Sequence, residues 1–264
     1  MPTHVTLYFT TDPKIAGTTS VPIPVGKFGS LTTPAGPDIK VLNFALALET
    51  LEARLYKEAL YRLTTGGTDM FGKNITGLGF TSADPDVQYL MTFGIIEGQH
   101  QAFLEKQLGG NWALTAGALF DFGFGDTNNF GKPPLTRLQT VELIYAAEQT
   151  GVSAYLGGAG PGGLTPGGAY LGVAASILGT EARHTTAVAI LLNGPPFNLV
   201  PYVATAPLVY PVVDKGTAGG PGLDTALAPD AILNQGGIVA KDTTVAGDGV
   251  INPISGPKGF VFLP

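Results

Sequence analysis

The sequence predicts a mainly α-helical fold, a four-helix bundle flanked by glycine- and proline-rich ends of β and irregular structure. Two observations carry this prediction. All eight Glu and all four Arg, residue types that favour helices, lie between Glu49 and Arg183. Within this middle region, four segments repeat apolar residues at steps of three and four, which places those side chains along one helix face.

Composition excludes several classes of protein. None of the 264 residues is cysteine, so disulfides, zinc–thiolate sites and cysteine nucleophiles are ruled out. The net charge is −6 and Lys and Arg form no cluster, which argues against a nucleic-acid partner. No uncharged apolar stretch is long enough for a membrane span.

The first residues bear on location in the cell. Met1 to Thr11 lacks the basic region and apolar run of a secretory signal. A cytoplasmic location is therefore favoured, while a mature secreted form whose leader has been removed stays open.

The first two helices are delimited by capping and breaking residues. Asp38 is expected to cap a helix from about Ile39 to Leu63, which Gly66-Gly67 end. Asp84-Pro85 form the next start, a capping acid followed by proline at the first helical position. Gly109-Gly110 end this second helix.

A long crossover separates the two helix pairs. Residues 111–134, rich in Gly and Phe, are predicted to connect distant helix ends with little local structure. The third helix is expected from near Leu135, with an apolar stripe that starts at Leu138, to the glycine run 157–163. Thr165-Pro166 are predicted to open the fourth helix.

The predicted domain organisation has three parts. An extended N-terminal segment covers 1–37, the bundle covers 38–193, and a β and irregular extension covers 195–264. Short β-favouring runs are expected in the two ends, at Val5–Thr10, Leu208–Val213 and Gly259–Leu263.

Each apolar stripe is interrupted near its middle by acidic residues. The second and fourth predicted helices carry Glu-x-x-His, and residues three apart share a helix face. The first and third carry Glu without His. We therefore predict that the four helices bring together six metal-ligating side chains: Glu49, Glu97, His100, Glu148, Glu181 and His184.

Burial explains why these residues predict metal. A carboxylate left unpaired in a bundle core costs several kcal/mol, and four that converge repel each other. Two divalent cations neutralise four carboxylates, and two neutral imidazoles complete the coordination. Mixed oxygen and nitrogen ligands suit iron or manganese. The predicted cofactor is therefore a pair of Fe or Mn ions.

The two halves of the predicted bundle repeat one pattern. Glu49 and Glu148 are each followed seven residues later by a tyrosine, Tyr56 and Tyr155. Each tyrosine is predicted either to hydrogen-bond a ligand carboxylate or act in redox chemistry, or to be a core aromatic with its hydroxyl satisfied, the more common case.

Glu52 has no acidic counterpart in the other half, because Gly151 occupies the matching position. Three roles are open for Glu52: an acid beside the ligands, an extra ligand, or a partner in an ion pair at the edge of the helix seam.

The sequence resembles the ferritin-like domain family that includes desiccation-related and fungal and bacterial stress-response proteins. This resemblance implies a four-helix bundle with a dinuclear site over roughly 38–193, while the family's activity is poorly defined. The segments that carry it are Leu42–Ala53, Glu97–Leu104, Glu148–Gly157 and Ile177–His184.

Two classes of function follow from these observations. The first is a dinuclear oxidoreductase that acts on peroxide or dioxygen in stress protection, as a catalase, peroxidase or ferroxidase-like enzyme. The alternative is a structural or protective protein in which metal, if present, only staples the bundle. We expect a homo-oligomer, although the long ends argue against a storage cage.

Overall fold

The computed structural model describes residues 36–109, 118–128, 133–193 and 239–242. Within these ranges the chain forms a bundle of four helices and two small sheets, which confirms the predicted mainly α fold. The helices are α1 (Pro37–Leu63), α2 (Pro85–Leu108), α3 (Arg137–Gly158) and α4 (Ala169–Asn193). The strands are β1 (Gly67–Thr68), β2 (Asn74–Ile75), β3 (Ala118–Asp121) and β4 (Val239–Asp242). The strand runs predicted at 5–10, 208–213 and 259–263 lie outside the described residues.

The first two helices begin where expected, but their aspartates act differently. Gly36 is the N-cap of α1, and Asp38 lies in the first turn, where its Oδ1 accepts a hydrogen bond from the Thr165 backbone N–H at 2.7 Å. Asp84 is the N-cap of α2, yet its carboxylate accepts from the backbone of Thr81 at 2.8 Å instead of capping the helix. Asp38 therefore ties the start of α1 to the loop before α4.

The second pair of helices differs slightly from the prediction. Thr136 and Gln139 form a capping box at the start of α3, which satisfies two backbone N–H groups. Leu138, the first residue of the predicted apolar stripe, is 53% exposed because it lies in the first turn, beyond the packed part of the helix. Helix α4 begins at Ala169, after a turn closed by a hydrogen bond from Gly168 N–H to Thr165 O.

The two sheets lie in the connections between helices. Strands β1 and β2 form an antiparallel hairpin between α1 and α2. Gly66 precedes this hairpin with φ +84°, and a Cβ there would lie 2.5 Å from Ile75 O, so only glycine fits. In the crossover, β3 pairs antiparallel with β4. The crossover, predicted to have little local structure, contains the short strand Ala118–Asp121, where pairing with a distant strand stabilises extended backbone.

Helix α1 packs on α2 and α3 packs on α4, and further contacts join α1 to α3 and α2 to α4. The bundle core falls into two apolar clusters. One contains Leu51, Leu90 and Ile144 together with phenylalanines of the crossover, and the other contains Leu46 and Leu104. In the described part of the chain, no helix combines the length and apolarity that crossing a membrane would need.

The contact between α1 and α2 depends on a glycine. A Cβ added at Gly94 would lie 2.8 Å from the Cβ of Tyr56, closer than packed atoms approach. By contrast, a Cβ at Gly179 of α4 would meet only the end of the Arg183 side chain, at 3.7 Å. The two positions are therefore a matched pair for testing helix packing.

We expect Gly94→Ala to lower the free energy of unfolding by about 2 kcal/mol, because overpacking forces α1 and α2 apart. Gly179→Ala is the control, and we expect it to raise stability by roughly 0.5–1 kcal/mol through helix propensity. Urea unfolding followed by circular dichroism measures both. Equal effects of the two substitutions would contradict the close approach at Gly94.

Candidate metal centre

The six side chains predicted to bind metal lie together, buried in the middle of the bundle. Each helix brings its acid to a position between residues of the two apolar clusters. In α2, for example, Glu97 lies between Leu90 of one cluster and Leu104 of the other. All four glutamates are inaccessible to solvent, namely Glu49, Glu97, Glu148 and Glu181.

The polar atoms fall into two groups, in each of which every ligand-type atom lies within 4.8 Å of the others. The first group surrounds His100. Its Nδ1 lies 3.0 Å from Glu97 Oε2, 3.3 Å from Glu49 Oε2 and 3.4 Å from Glu181 Oε1. Three helices, α1, α2 and α4, therefore contribute to this group.

The second group surrounds His184. Its Nδ1 lies 2.7 Å from Glu97 Oε1 and 3.4 Å from Glu148 Oε1. Glu97 thus belongs to both groups and turns one carboxylate oxygen towards each histidine. Such an arrangement allows a single carboxylate to bridge two cations.

Each tyrosine bonds the glutamate of the other half of the bundle. The Tyr56 hydroxyl donates to Glu148 Oε1, and the Tyr155 hydroxyl donates to Glu49 Oε1. Because both partners are buried, these bonds fix the carboxylates in position. The crossed pairing also shows that α1 and α3 run antiparallel.

Two supporting residues were not singled out from the sequence. The Phe93 ring stacks on the His184 imidazole, with centroids 4.0 Å apart. A Cβ at Gly151 would lie 2.7 Å from Glu181 Oε2, so the glycine leaves room for that carboxylate. In the sequence, Gly151 stands out only because it occupies the position that matches Glu52 in the internal repeat. The structure shows that the Glu181 carboxylate occupies the space left by the missing side chain.

Burial dominates the electrostatics of most of the acids. Desolvation raises the pKa of Glu49 to about 7, although the nearby His100 opposes the shift. The pKa of Glu181 is raised well above its usual value by burial and then by the charges of Glu97, Glu148 and Glu49. Without cations, this arrangement therefore favours protonated carboxyls.

The pKa shifts of the two histidines, which are raised, and of Glu97, which is lowered, favour the charged forms instead. Burial works against charge on His184, but hydrogen bonds with Glu148 and Glu97 and the charges of both raise its pKa to about 9. Burial likewise opposes ionisation of Glu97, yet the charges and hydrogen bonds of His100 and His184 outweigh it and lower the pKa of Glu97 to about 2. Glu97 is thus the acid that stays ionised between the two imidazoles.

Among the residues that the structure describes, several buried oxygens of the cluster have no hydrogen-bond partner. They include Glu148 Oε2 and Glu181 Oε2, in a layer where no solvent reaches them. Buried polar atoms without partners are costly, and a cation satisfies carboxylate oxygens that no donor reaches. The donor set of four carboxylates and two imidazoles therefore fits a pair of divalent cations.

Glu52 is also buried, with 2% of its surface exposed. Its pKa is raised well above the usual value by burial and then by the charges of Glu181, Glu49, Glu148 and Glu97. Its Oε2 finds no hydrogen-bond partner within the described part of the chain. Glu52 nevertheless belongs to neither group of ligand-type atoms.

Together the helices and the site define a bundle with a buried carboxylate–histidine cluster compatible with a dinuclear metal centre. The sequence profile described as "Ferritin-like domain" matches residues 37–194, more than half of the chain. The chain therefore belongs to the ferritin-like domain family. Comparisons with curated proteins and with solved structures give no match. The narrower resemblance to desiccation-related and stress-response proteins stays a prediction.

The pKa shifts predict how the stability of the metal-free protein depends on pH. Because the pKa of Glu49 is raised from 4.5 to about 7, the folded protein binds more protons at Glu49 than the unfolded chain does between these two pH values. The free energy of unfolding therefore falls as pH rises through this range. His184, raised from 6.5 to about 9, stabilises the fold below pH 6.5 and loses that contribution as pH rises to 9. Glu97 acts in the opposite direction, but only between about 2 and 4.5.

We therefore expect the free energy of unfolding of metal-free protein to fall by more than about 1.4 kcal/mol, the equivalent of one pKa unit, between pH 5 and pH 9. Urea titrations across this range measure it. Glu49→Gln should flatten the slope, whereas the control Glu142→Gln, outside the cluster on α3, should not. A stability that rises over this range would contradict the assignment.

Proposed function

We propose that this chain is a dinuclear iron or manganese protein that carries out redox chemistry on peroxide or dioxygen. The observation that carries the proposal is the position of Glu97, whose two carboxylate oxygens face different histidines. A structural ion pair needs only one such contact. Two groups of ligand-type atoms that share one carboxylate suit two cations held close together.

Charge balance supports two cations. Glu49, Glu97, Glu148 and Glu181 contribute four negative charges when ionised, and two divalent ions offset them. His100 and His184 would then hold the ions as neutral imidazoles with Nδ1 lone pairs, because metal binding requires deprotonated ligands. We assign Glu49, Glu97, His100 and Glu181 to one ion, and Glu97, Glu148 and His184 to the other.

The chemistry of the ligands favours iron or manganese. Carboxylate and imidazole ligands without thiolate suit these ions. When bound, such a pair would supply one electron from each ion, and two electrons with two protons convert one hydrogen peroxide to two waters, while a second peroxide, oxidised to dioxygen, would return the two electrons and two protons.

The surrounding residues orient the proposed ligands and exclude water from the site. Tyr56 and Tyr155 hold Glu148 and Glu49 through hydrogen bonds, so these carboxylates reach the ions already oriented. Phe93 fixes the plane of His184 by stacking. The apolar clusters on either side exclude water, which strengthens electrostatic interactions inside. We assign Glu52 as an acid beside the ligands, because it belongs to neither group.

Metal content tests the ligand assignment. We expect two ions per chain in protein loaded with Fe(II) or Mn(II), one for each group. Glu148→Gln should lose one ion, because Glu148 belongs to a single group. Glu97→Gln should lose both, because Glu97 is shared. Elemental analysis after gel filtration measures the ratios, and Glu142→Gln is the control that should retain both ions.

Unfolding curves of the same variants show whether each is folded, and an isosteric amide is expected to preserve the bundle. Equal metal loss in Glu97→Gln, Glu148→Gln and Glu142→Gln would contradict the shared-ligand assignment. Consumption of peroxide or dioxygen by the loaded protein tests the redox part, and it should fall at least tenfold in His184→Ala. Full loading without turnover would reject the oxidoreductase and leave a bundle stapled by metal.

A further inference from the structure

A cavity of about 220 Å³ lies at the end of the bundle where α1 begins and α3 ends. Its walls are mainly aliphatic. They are formed by Leu42, Ala45 and Leu48 of α1, Ala154 of α3 and Ala174 of α4, all of which are buried. For comparison, an engineered apolar cavity of about 150 Å³ binds benzene. The space is therefore sufficient for an apolar ligand.

The cavity runs along α1 towards the metal centre. Its lining extends from Lys40 to Leu48, which is about 12 Å along a helix axis. Glu49, the first residue of the ligand cluster, follows Leu48 directly. Tyr155 also lines the cavity, and its hydroxyl donates a hydrogen bond to Glu49. One side chain therefore contacts both the cavity and the cluster.

A glycine run forms part of the wall of the cavity. Gly157, Gly158, Gly162 and Gly163 all line the cavity, so this part of the wall carries no side chains. A Cβ at Gly163 would lie 2.0 Å from Gly158 O, so the loop folds back on the end of α3 only with glycine there. The run is not a phosphate-binding loop, because the Gly-Lys-Ser/Thr sequence of such loops does not follow its glycines.

The outer end of the cavity carries a positive charge. Lys40 contributes to the lining, and its side chain is exposed in the first turns of α1. A lysine of this kind lays its aliphatic stem along apolar surface and keeps its ammonium in water. The combination of an aliphatic cavity with an ammonium at its mouth is complementary to a molecule with an alkyl chain and an anionic head.

We propose that this cavity binds a medium-chain alkyl carboxylate, with the carboxylate at Lys40 and the chain running inwards to Tyr155. Binding requires no metal. A role for the cavity as the substrate site of the centre rests on the proposed redox function. In that case Tyr155 would lie between the alkyl chain and the ion that Glu49 would hold. A substrate of this class is apolar where it approaches the centre and charged only at the surface.

Isothermal titration of the full chain with decanoate tests the proposal, in both metal-free and metal-loaded protein. We expect one site per chain. Ala154→Leu, which adds side-chain atoms to the cavity, should weaken binding at least tenfold. Lys40→Met keeps most of the unbranched apolar stem but removes the ammonium charge, and it should weaken the binding of decanoate about tenfold while leaving the binding of decanol unchanged.

Lys106→Met is the matched control, because Lys106 is exposed in the last turn of α2 and does not line the cavity. No binding, or binding that Ala154→Leu leaves unchanged, would overturn the proposal. Equal effects of Lys40→Met and Lys106→Met would also overturn it, since the charge at the cavity mouth would then have no special role. Metal content is measured separately, so failure here leaves the test of the dinuclear centre intact.

Discussion

The burial of several carboxylates in one apolar bundle is the constraint on which this structure depends. Four glutamates from four helices have no solvent contact, and each sits between two apolar clusters. Uncompensated, buried charge costs several kcal/mol per ion. The metal-free chain meets that cost through protonated carboxyls and charged imidazoles, whereas two cations would meet it with every carboxylate ionised. The composition of the layer is therefore compatible with a pair of bound cations.

The internal repeat explains how the layer is held. Tyr56 and Tyr155 each bond a glutamate of the opposite half, so neither helix pair holds its carboxylates alone. The two halves differ in their acidic residues, because Glu52 faces the cluster from α1 whereas Gly151, at the matching position of α3, leaves space for Glu181. Two ions bound here would consequently have unequal surroundings. The cavity beside Tyr155 adds to this inequality, since it approaches the centre from the side of Glu49.

The sequence was sufficient to predict the helices and the convergence of six side chains, because heptad-like spacing and Glu-x-x-His are local patterns. It was not sufficient where long-range contacts decide. Asp38 was expected to cap α1 but bonds the backbone of Thr165, far along the chain. Strand β3 forms only because β4 pairs with it. The sequence also left several roles open for Tyr56 and Tyr155. The structure shows that each hydroxyl donates a hydrogen bond to a glutamate on another helix, a contact that sequence spacing alone does not reveal.

Anomalous diffraction from crystals of the manganese- or iron-loaded protein, collected at the metal edge, tests the central claim most directly. The account predicts two anomalous peaks within the buried layer, one on each side of the Glu97 carboxylate. A single peak, or peaks confined to acids at the protein surface with none beside Glu97, would contradict it.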